Sequence, residues 1–435
     1  MEVKQVTPSM NRTILLSVLI CVLVFFGLVT FNGVLLAFAL PLVLLLAASF
    51  ILQPGEFNLR VQRTLSEERV VQGVDIAVTL TLVNEGISLL SVTIEDLVPA
   101  GLKIVEGEAS VAVALPAGES VELAYTVLGR RGYYQWPGVM VTAVDPFGLM
   151  YKQETIVQES RLFILPSVNK IPHIPIRPRR TRIYPGIIPI RKGGPGQTFY
   201  GIREYHSGDS LRLLNHRLSA RNDQELYVNE FEQERAGDVG IILDVRQSTN
   251  LFEGGYSLLE HGVEATATLA DAFLAQGNRV GLFIYGGGLD WVFPGYGKVQ
   301  RERILRALAQ ARMGDHKIFE KLYYMPTNLF PVRSQLVLIS PLKREDLADV
   351  TGLRAKGYQV LAVVPDPIAY EEQVLQGLEH LDLAVRIARL ERQSLMRGLR
   401  KGGIQVVEWQ VDQPFHLSAQ HALGRLPALY HGERA

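Results

Sequence analysis

The 435-residue chain has a single cysteine, Cys21, and no surplus of charge, with 44 Lys and Arg against 44 Asp and Glu. One thiol excludes a disulfide framework, a cysteine-based zinc site and an iron–sulfur cluster. Zero net charge gives no electrostatic footing for nucleic-acid binding by the chain as a whole, so no nucleic acid is expected as a partner. Catalytic signatures are missing as well. Gly297-Lys298 lacks the upstream glycine and the following hydroxyl of a phosphate loop, so ATP hydrolysis is not expected. Among nine histidines there is no H-E-x-x-H, and there is no G-x-S-x-G. With Cys21 inside an apolar run, a cysteine–histidine protease or transglutaminase is excluded. Gly193-Gly194-Pro195-Gly196 is glycine-rich, yet no phosphate-binding helix pattern follows it, and His206 and His216 read as surface residues.

Charge is also missing locally. From Thr13 to Leu52 there is none. Two apolar runs, Ile14–Phe31 and Val34–Leu52, flank Asn32-Gly33, and each makes a helix of roughly 27 Å, close to the ~30 Å hydrocarbon core of a bilayer. Asn-Gly is turn chemistry, so residues 13–52 are predicted to form a transmembrane hairpin, with Pro41 as a tolerated kink. A cleaved signal peptide is the alternative; Ala37-Phe38-Ala39 imitates its cleavage site, but the first run exceeds a 7–15 residue apolar region and apolar sequence continues beyond it. Lys4 and Arg12 before the hairpin, with Arg60 and Arg63 after it, put the soluble parts on the cytoplasmic side of the cell membrane by the positive-inside rule.

Residues 57–165 change texture. Apolar and polar residues alternate through 74–83, and short runs follow at Leu90–Leu97, Ser110–Leu115, Ser120–Leu128 and Gly138–Val144, punctuated by Pro99-Ala100-Gly101 and Pro116-Ala117-Gly118. Strands at this spacing predict a β-sandwich, with interaction or spacing as its default role. Residues 166–198 form a Pro/Arg-rich linker. Seven prolines lie between Pro166 and Pro195, and no acidic residue occurs between Glu159 and Glu204, an interval holding Arg177, Arg179, Arg180, Arg182, Arg191 and Lys192. The segment is predicted to be extended or looped, either touching anionic lipid or an acidic partner, or solvated. From 199 to 435, strands at Val239–Asp244, Arg279–Tyr285, Gln335–Ser340, Gln359–Val364 and Ile404–Trp409 alternate with helices at Ser257–Gln276, Gln300–Met313, Arg344–Lys356 and Leu383–Lys401. Alternation predicts a doubly wound parallel sheet, which binds ligands at the carboxyl ends of its strands, where Asp244 and Ser340 fall.

Two stretches carry a more specific pattern. One is Arg203-Glu204-Tyr205 with Gly208-Asp209-Ser210-Leu211-Arg212, then Ser219-Ala220-Arg221, then Glu230-Phe231-Glu232 and Glu234-Arg235. The other is Arg130-Arg131-Gly132-Tyr133, then Asp145-Pro146-Phe147-Gly148-Leu149. Together they resemble the DUF58 family, membrane-anchored proteins with a von Willebrand factor A-like domain. The resemblance implies a MoxR-type AAA+ ATPase as partner and a broad role in assembling protein complexes. Within the signature, Arg203, Tyr205, Gly208, Asp209, Arg212, Ser219, Arg221 and Glu230 are the candidate binding residues; Arg–carboxylate forks among them, with Arg217, Asp223, Glu225, Glu232 and Glu234, would also serve as a structural clamp.

A von Willebrand A domain usually carries an Asp-x-Ser-x-Ser metal site completed by a Thr and a second Asp from later loops. Here Asp244 and Ser248 match, Arg246 takes the middle serine position, Pro341 stands where the second Asp is expected, and Gly314-Asp315-His316 aligns loosely with the threonine loop. A guanidinium cannot ligate a cation, and Arg246 can fork onto Asp244 in its place. The expectation is a degenerate site without tightly bound Mg²⁺, no cofactor and no catalytic residue. The function expected is a membrane-anchored interaction or assembly factor, the alternatives being a membrane-bound hydrolase using the signature carboxylates or a structural envelope protein.

Overall fold

The computed structural model describes residues 10–171, 181–182, 188–221, 225–250, 252–253, 256–287, 289–314, 329–332, 334–366, 368 and 381–423. The chain divides into two compact units, Met1–Ile164 and Leu165–Ala435.

The first unit opens with α1 (Met10–Val29) and α2 (Gly33–Ile51). Both are long and apolar enough to cross a membrane, and few of their residues are buried by protein. Asn32 caps α2 by accepting the Val34 N–H at 3.0 Å, as the turn dipeptide predicts. Gly27 lets the helices approach: a Cβ there would lie 2.9 Å from the Leu36 side chain.

The nine strands that follow among the described residues are β1 (Leu59–Leu65), β2 (Arg69–Val71), β3 (Ile76–Asn84), β4 (Leu89–Asp96), β5 (Leu102–Gly107), β6 (Ser110–Leu115), β7 (Ser120–Gly129), β8 (Gly132–Val144) and β9 (Tyr151–Leu165). They form two sheets, β1-β3-β7-β5 and β2-β9-β8-β4-β6. Strict alternation along β3 buries Ile76, Val78, Leu80 and Leu82 on one face, which fixes its register. Periodicity misses β1, β2, β5 and β9, whose exposed edges and charged residues dilute the pattern. A buried polar network sits in this core. Arg63 forks onto Asp96, with Nε to Oδ2 at 3.0 Å, and donates to the Gly138 carbonyl at 3.2 Å. The Tyr125 hydroxyl donates to Asp96 at 2.7 Å and accepts the Trp136 indole N–H at 3.2 Å. Burial, then the Asp96 charge, pushes the Tyr125 phenol well above its ordinary pKa and keeps it a donor.

The second unit begins with the Pro/Arg segment. Asn169 donates from its side chain to Glu264 at 2.6 Å. Arg177, Arg179 and Arg180 lie outside the described residues. Further on the segment takes the extended one of its two predicted forms: β10 (Thr181–Arg182) and β11 (Ile188–Glu204) pair antiparallel with the amino-terminal half of β12 (Tyr227–Asp244). Pro189 and Pro195 are tolerated because β11 has one neighbour among the described residues and its register shifts repeatedly between Ile190 and Gly201. The short β13 (Phe252–Glu253) and β14 (Tyr256–Ser257) precede β15 (Arg279–Tyr285), β16 (Leu289–Gly295), β17 (Gln335–Ile339), β18 (Gln359–Pro365) and β19 (Gln405–Trp409). The main sheet runs β16-β15-β12-β17-β18-β19, parallel except for β16 at the edge. Its helices are α3 (His216–Ser219), α4 (Leu258–Ala275), α5 (Gly297–Gln310), α6 (Asp346–Ala355), α7 (Leu381–Lys401) and α8 (Phe415–Leu423). The central strands are buried on both faces and therefore read as unbroken apolar runs, as in β17. Strand β16 is not legible as a parallel strand because it is neither parallel nor fully buried; Trp291 and Phe293 are exposed on it.

Candidate functional site

Strand order reverses at β12, whose neighbours β15 and β17 lead to opposite edges of the sheet. The carboxyl end of β12 is therefore where a doubly wound sheet opens a crevice. Asp244 ends that strand, buried, and Arg246 two residues later fills the crevice. Its Nε and Nη2 donate to Asp244 at 3.0 and 2.8 Å, while Nη1 and Nη2 donate to Asp346 at 3.0 and 2.9 Å. Ser340 Oγ, from the end of β17, donates to Asp244 at 2.6 Å, and Thr249 Oγ1 donates to it at 3.1 Å. Asn250 holds the loop by donating to the Asp244 and Arg246 carbonyls, both at 3.0 Å. Burial opposes the Arg246 charge, but hydrogen bonds to Asp244 and Asp346 outweigh it and hold the guanidinium charged. Tyr285 is the buried neighbour at the end of β15, and burial pushes its phenol up to about 12.

The local backbone is shaped for this arrangement. Gly286 has φ +134°, and a Cβ there would press on the Arg246 backbone nitrogen. The loop after β17 passes through Leu342 at φ +53°, a conformation that costs an ordinary residue about 1–3 kcal/mol. Through it the Lys343 N–H reaches Asp346 at 2.8 Å, and Asp346 opens α6, where a carboxylate suits the helix dipole. A second guanidinium covers the neighbouring strand end: Arg392 donates to the Pro365 carbonyl at 2.7 Å and the Pro341 carbonyl at 3.2 Å.

The donor set does not fit a bound cation, because the guanidinium occupies the position a metal would take between the two carboxylates. Among the described residues no group of three or more His, Cys, Asp or Glu is placed to hold a metal ion. Ser248 is exposed and makes no hydrogen bond to Asp244; Thr249 takes that place. Asp315 and His316 lie outside the described residues. Asp346 was the residue hidden from sequence, five positions beyond Pro341 and recoverable only as an acidic helix start.

The signature forms a separate, smaller site. Arg203 forks onto Asp209, Nη1 to Oδ2 and Nη2 to Oδ1 both at 2.7 Å, and Glu230 lies 3.7 Å from Arg203 Nε. Gly208 at φ +109° makes the turn, and the His206 N–H donates to Asp209 at 2.8 Å. Ser219 Oγ accepts the Tyr227 N–H at 2.9 Å, tying the short α3 to β12. Tyr205 pairs through its backbone with Leu226. Of the broad clamp read from sequence, the described residues hold the Arg203 fork alone: Arg212, Arg217 and Arg221 are exposed and form no ion pair with another described residue, and Glu225 accepts the Tyr227 hydroxyl at 2.9 Å. Asp223 and the side chains of Glu232 and Glu234 fall outside the described set. Arg203 can reach its fork because β11 and the turn after it are adjacent in sequence.

The fork on Arg203, followed by the His206 N–H, holds the Asp209 carboxyl well below the ordinary carboxylate range. A depressed folded value means its contribution is complete above the ordinary value and is lost as pH falls toward the folded one. Slowed amide exchange at His206 should therefore persist in acid where a free aspartate is half protonated, about pH 4. In Asp209→Ala that protection should be absent at every pH, with little change in the melting temperature of the whole unit; unchanged protection would remove the clamp from the account.

The DUF58 family model, described as a protein of unknown function, matches residues 201–374, which supports the family resemblance over that stretch. No curated protein matches the chain. Among solved structures, a FixG-related protein from Vibrio parahaemolyticus is 12% identical over 24% of this chain and 95% of its own, with a TM-score of 0.17. The CARDB domain of a Pyrococcus furiosus protein is 16% identical over 26% and 97%, with a TM-score of 0.18. A non-cellulosomal cohesin from Archaeoglobus fulgidus is 13% identical over 24% and 91%, with a TM-score of 0.17. At these scores the likenesses carry no argument about function.

Proposed function

We propose that this protein is a membrane-anchored interaction or assembly factor whose α/β domain engages a protein partner and carries out no chemistry of its own. The observation that carries the reading is Arg246. It fills the crevice where a doubly wound sheet ordinarily receives a ligand, and it satisfies both carboxylates there. What is left for a partner is the rim, where Gln247, Ser248 and Gly287 are exposed, together with the loops around Pro341. The sheet order with β16 antiparallel at its edge, and an aspartate ending the central strand, support a von Willebrand A-like reading of this domain in which an internal arginine replaces the metal. The DUF58 resemblance makes a MoxR-type AAA+ ATPase the first candidate partner. Two apolar helices support the membrane anchor, and Lys4, Arg12 and Arg60 favour the cytoplasmic side for both units. Arg63 no longer counts toward that bias, since its charge is spent on Asp96 inside the sandwich.

Affinity purification of the full chain from mild detergent tests the reading. Recovery of a AAA+ ATPase, reduced by introducing charge at the exposed rim with Gln247→Glu and Ser248→Asp, is expected. Failure to recover one, or a reporter after Ala435 active only outside the cytoplasm, would turn the assignment toward an envelope protein.

A further inference from the structure

One end of the β-sandwich differs from the other. The strand β1 starts at Leu59 opposite Asn84, β4 starts at Leu89 opposite Leu115, β7 starts at Ser120 opposite Val83, and β8 ends at Val144 opposite Tyr151. Asn84 ties these turns together by donating to the Ile87 and Leu115 carbonyls at 2.7 and 2.9 Å. This is also the end that α2 enters, seven residues before β1. Its turns expose large apolar side chains: Ile87 is 58% exposed, Leu90 67%, Phe147 45% and Tyr151 39%. The opposite end carries Glu67, Glu68, Asp75, Glu108 and Arg131; the large apolar side chains it exposes among the described residues, Val71, Val74, Ile104 and Val105, are aliphatic, with no aromatic ring.

The apolar end is locked to the helices. Asp145 accepts the Leu149 and Met150 N–H groups at 2.7 and 2.8 Å, the Phe147 N–H at 3.2 Å, and the Ser49 hydroxyl at 2.6 Å. Thr13 donates its hydroxyl to the Leu149 carbonyl at 2.5 Å. Ser49 lies in the last turn of α2 and Thr13 in the first turn of α1, so the loop is held level with the two ends of the apolar runs. At that level hydrocarbon gives way to headgroups, where aromatic rings are most favourably placed.

We propose that the sandwich does not stand off the bilayer on a tether: its hairpin-proximal end, led by Phe147 with Leu90 and Ile87 beside it, is immersed in the lipid interface, and Asp145 fixes that depth by joining Ser49 and Thr13. The occupant is the bilayer because the exposed Phe50, Ile51 and Leu52 carry the apolar surface of α2 to its end, and Ile87 lies against Gly55 just beyond it. Asp145 and Ser49 are positioning residues. The inference rests on the hairpin spanning the membrane.

Nitroxide labels on the full chain, reconstituted in phosphatidylethanolamine/phosphatidylglycerol vesicles, test it. In a Cys21→Ser background, Phe147→Cys, Leu90→Cys and Glu67→Cys are labelled singly; the native Cys21 is labelled alone as the depth control. Labels at 147 and 90 should collide with oxygen several-fold more, relative to a water-soluble nickel chelate, than the label at 67. If labels at 147 and 90 are as open to the chelate as the one at 67, the inference is overturned. If both are shielded from oxygen and chelate alike, a protein covers the patch and the lipid assignment is equally overturned. Cys21 separates the two levels of failure: a chelate-accessible Cys21 refutes the spanning hairpin, whereas an oxygen-rich Cys21 with a water-exposed 147 refutes only the immersed end.

Discussion

Arg246→Ala should destabilise the α/β unit by about 3–5 kcal/mol, the range for removing one partner of a buried ion pair. The reason is the state it leaves behind. Asp244 and Asp346 are both buried, and each receives two hydrogen bonds from the guanidinium. Without it, two carboxylates face each other across an empty space with only Ser340, Thr249 and backbone donors left. Arg246→Lys keeps the charge but has no planar fork, so it should fall between wild type and alanine. Adding Asp346→Asn to Arg246→Ala should restore part of the loss, since it removes one of the stranded charges. Denaturant unfolding followed by the fluorescence of Trp291 and Trp409 reads all four proteins. A loss below about 1 kcal/mol for Arg246→Ala would mean the crevice is wet enough to solvate both carboxylates, as at a surface pair. The same geometry predicts a calorimetric result: the full-length wild type should give no micromolar heat with Mg²⁺, and binding of that strength abolished by Asp244→Ala would overturn the account of a site closed by its own arginine.

The second large effect is expected in the sandwich. Arg63 and Asp96 have fully buried side chains, and the guanidinium lies 5.8 Å from the centre of the Trp136 ring. Arg63→Met should cost about 3–5 kcal/mol by leaving Asp96 charged in an apolar core with the Tyr125 hydroxyl as its remaining side-chain donor. Arg63→Met combined with Asp96→Leu should recover most of that, because a packed apolar pair carries no desolvation penalty. Tyr125→Phe should cost less, about 1.5–3 kcal/mol for a hydrogen bond to a charged group. The double-mutant cycle, read from the unfolding midpoint of the first unit, decides the matter: single and double variants that lose equal amounts would show that packing around Trp136, and not the charge pair, carries the stability.

Much of this architecture was legible in the chain. Two uncharged apolar runs around Asn32-Gly33 define two helices joined by a tight turn, each long and apolar enough to cross a membrane. Alternation through 76–84 fixes a half-buried strand, and unbroken apolar runs at 279–285 and 335–339 fix strands buried on both faces. Asp244 and the odd Arg246 beside it were also visible, because a guanidinium in a ligand position changes the chemistry whatever the fold.

What sequence could not supply was distance. Asp346 completes the Arg246 site from 100 residues away, and only the return of β17 beside β12 brings it there. Asp145 and Ser49 are 96 residues apart, and nothing in either local pattern says that one caps the other. The arginines of the signature look equivalent in the chain; the turn at Gly208 gives Arg203 its fork, while Arg212, Arg217 and Arg221 form no ion pair with another described residue. Local periodicity and composition report which face of an element is apolar, since burial acts residue by residue. Pairing of charges is set by where the chain returns, and that is a property of the packed sheet alone.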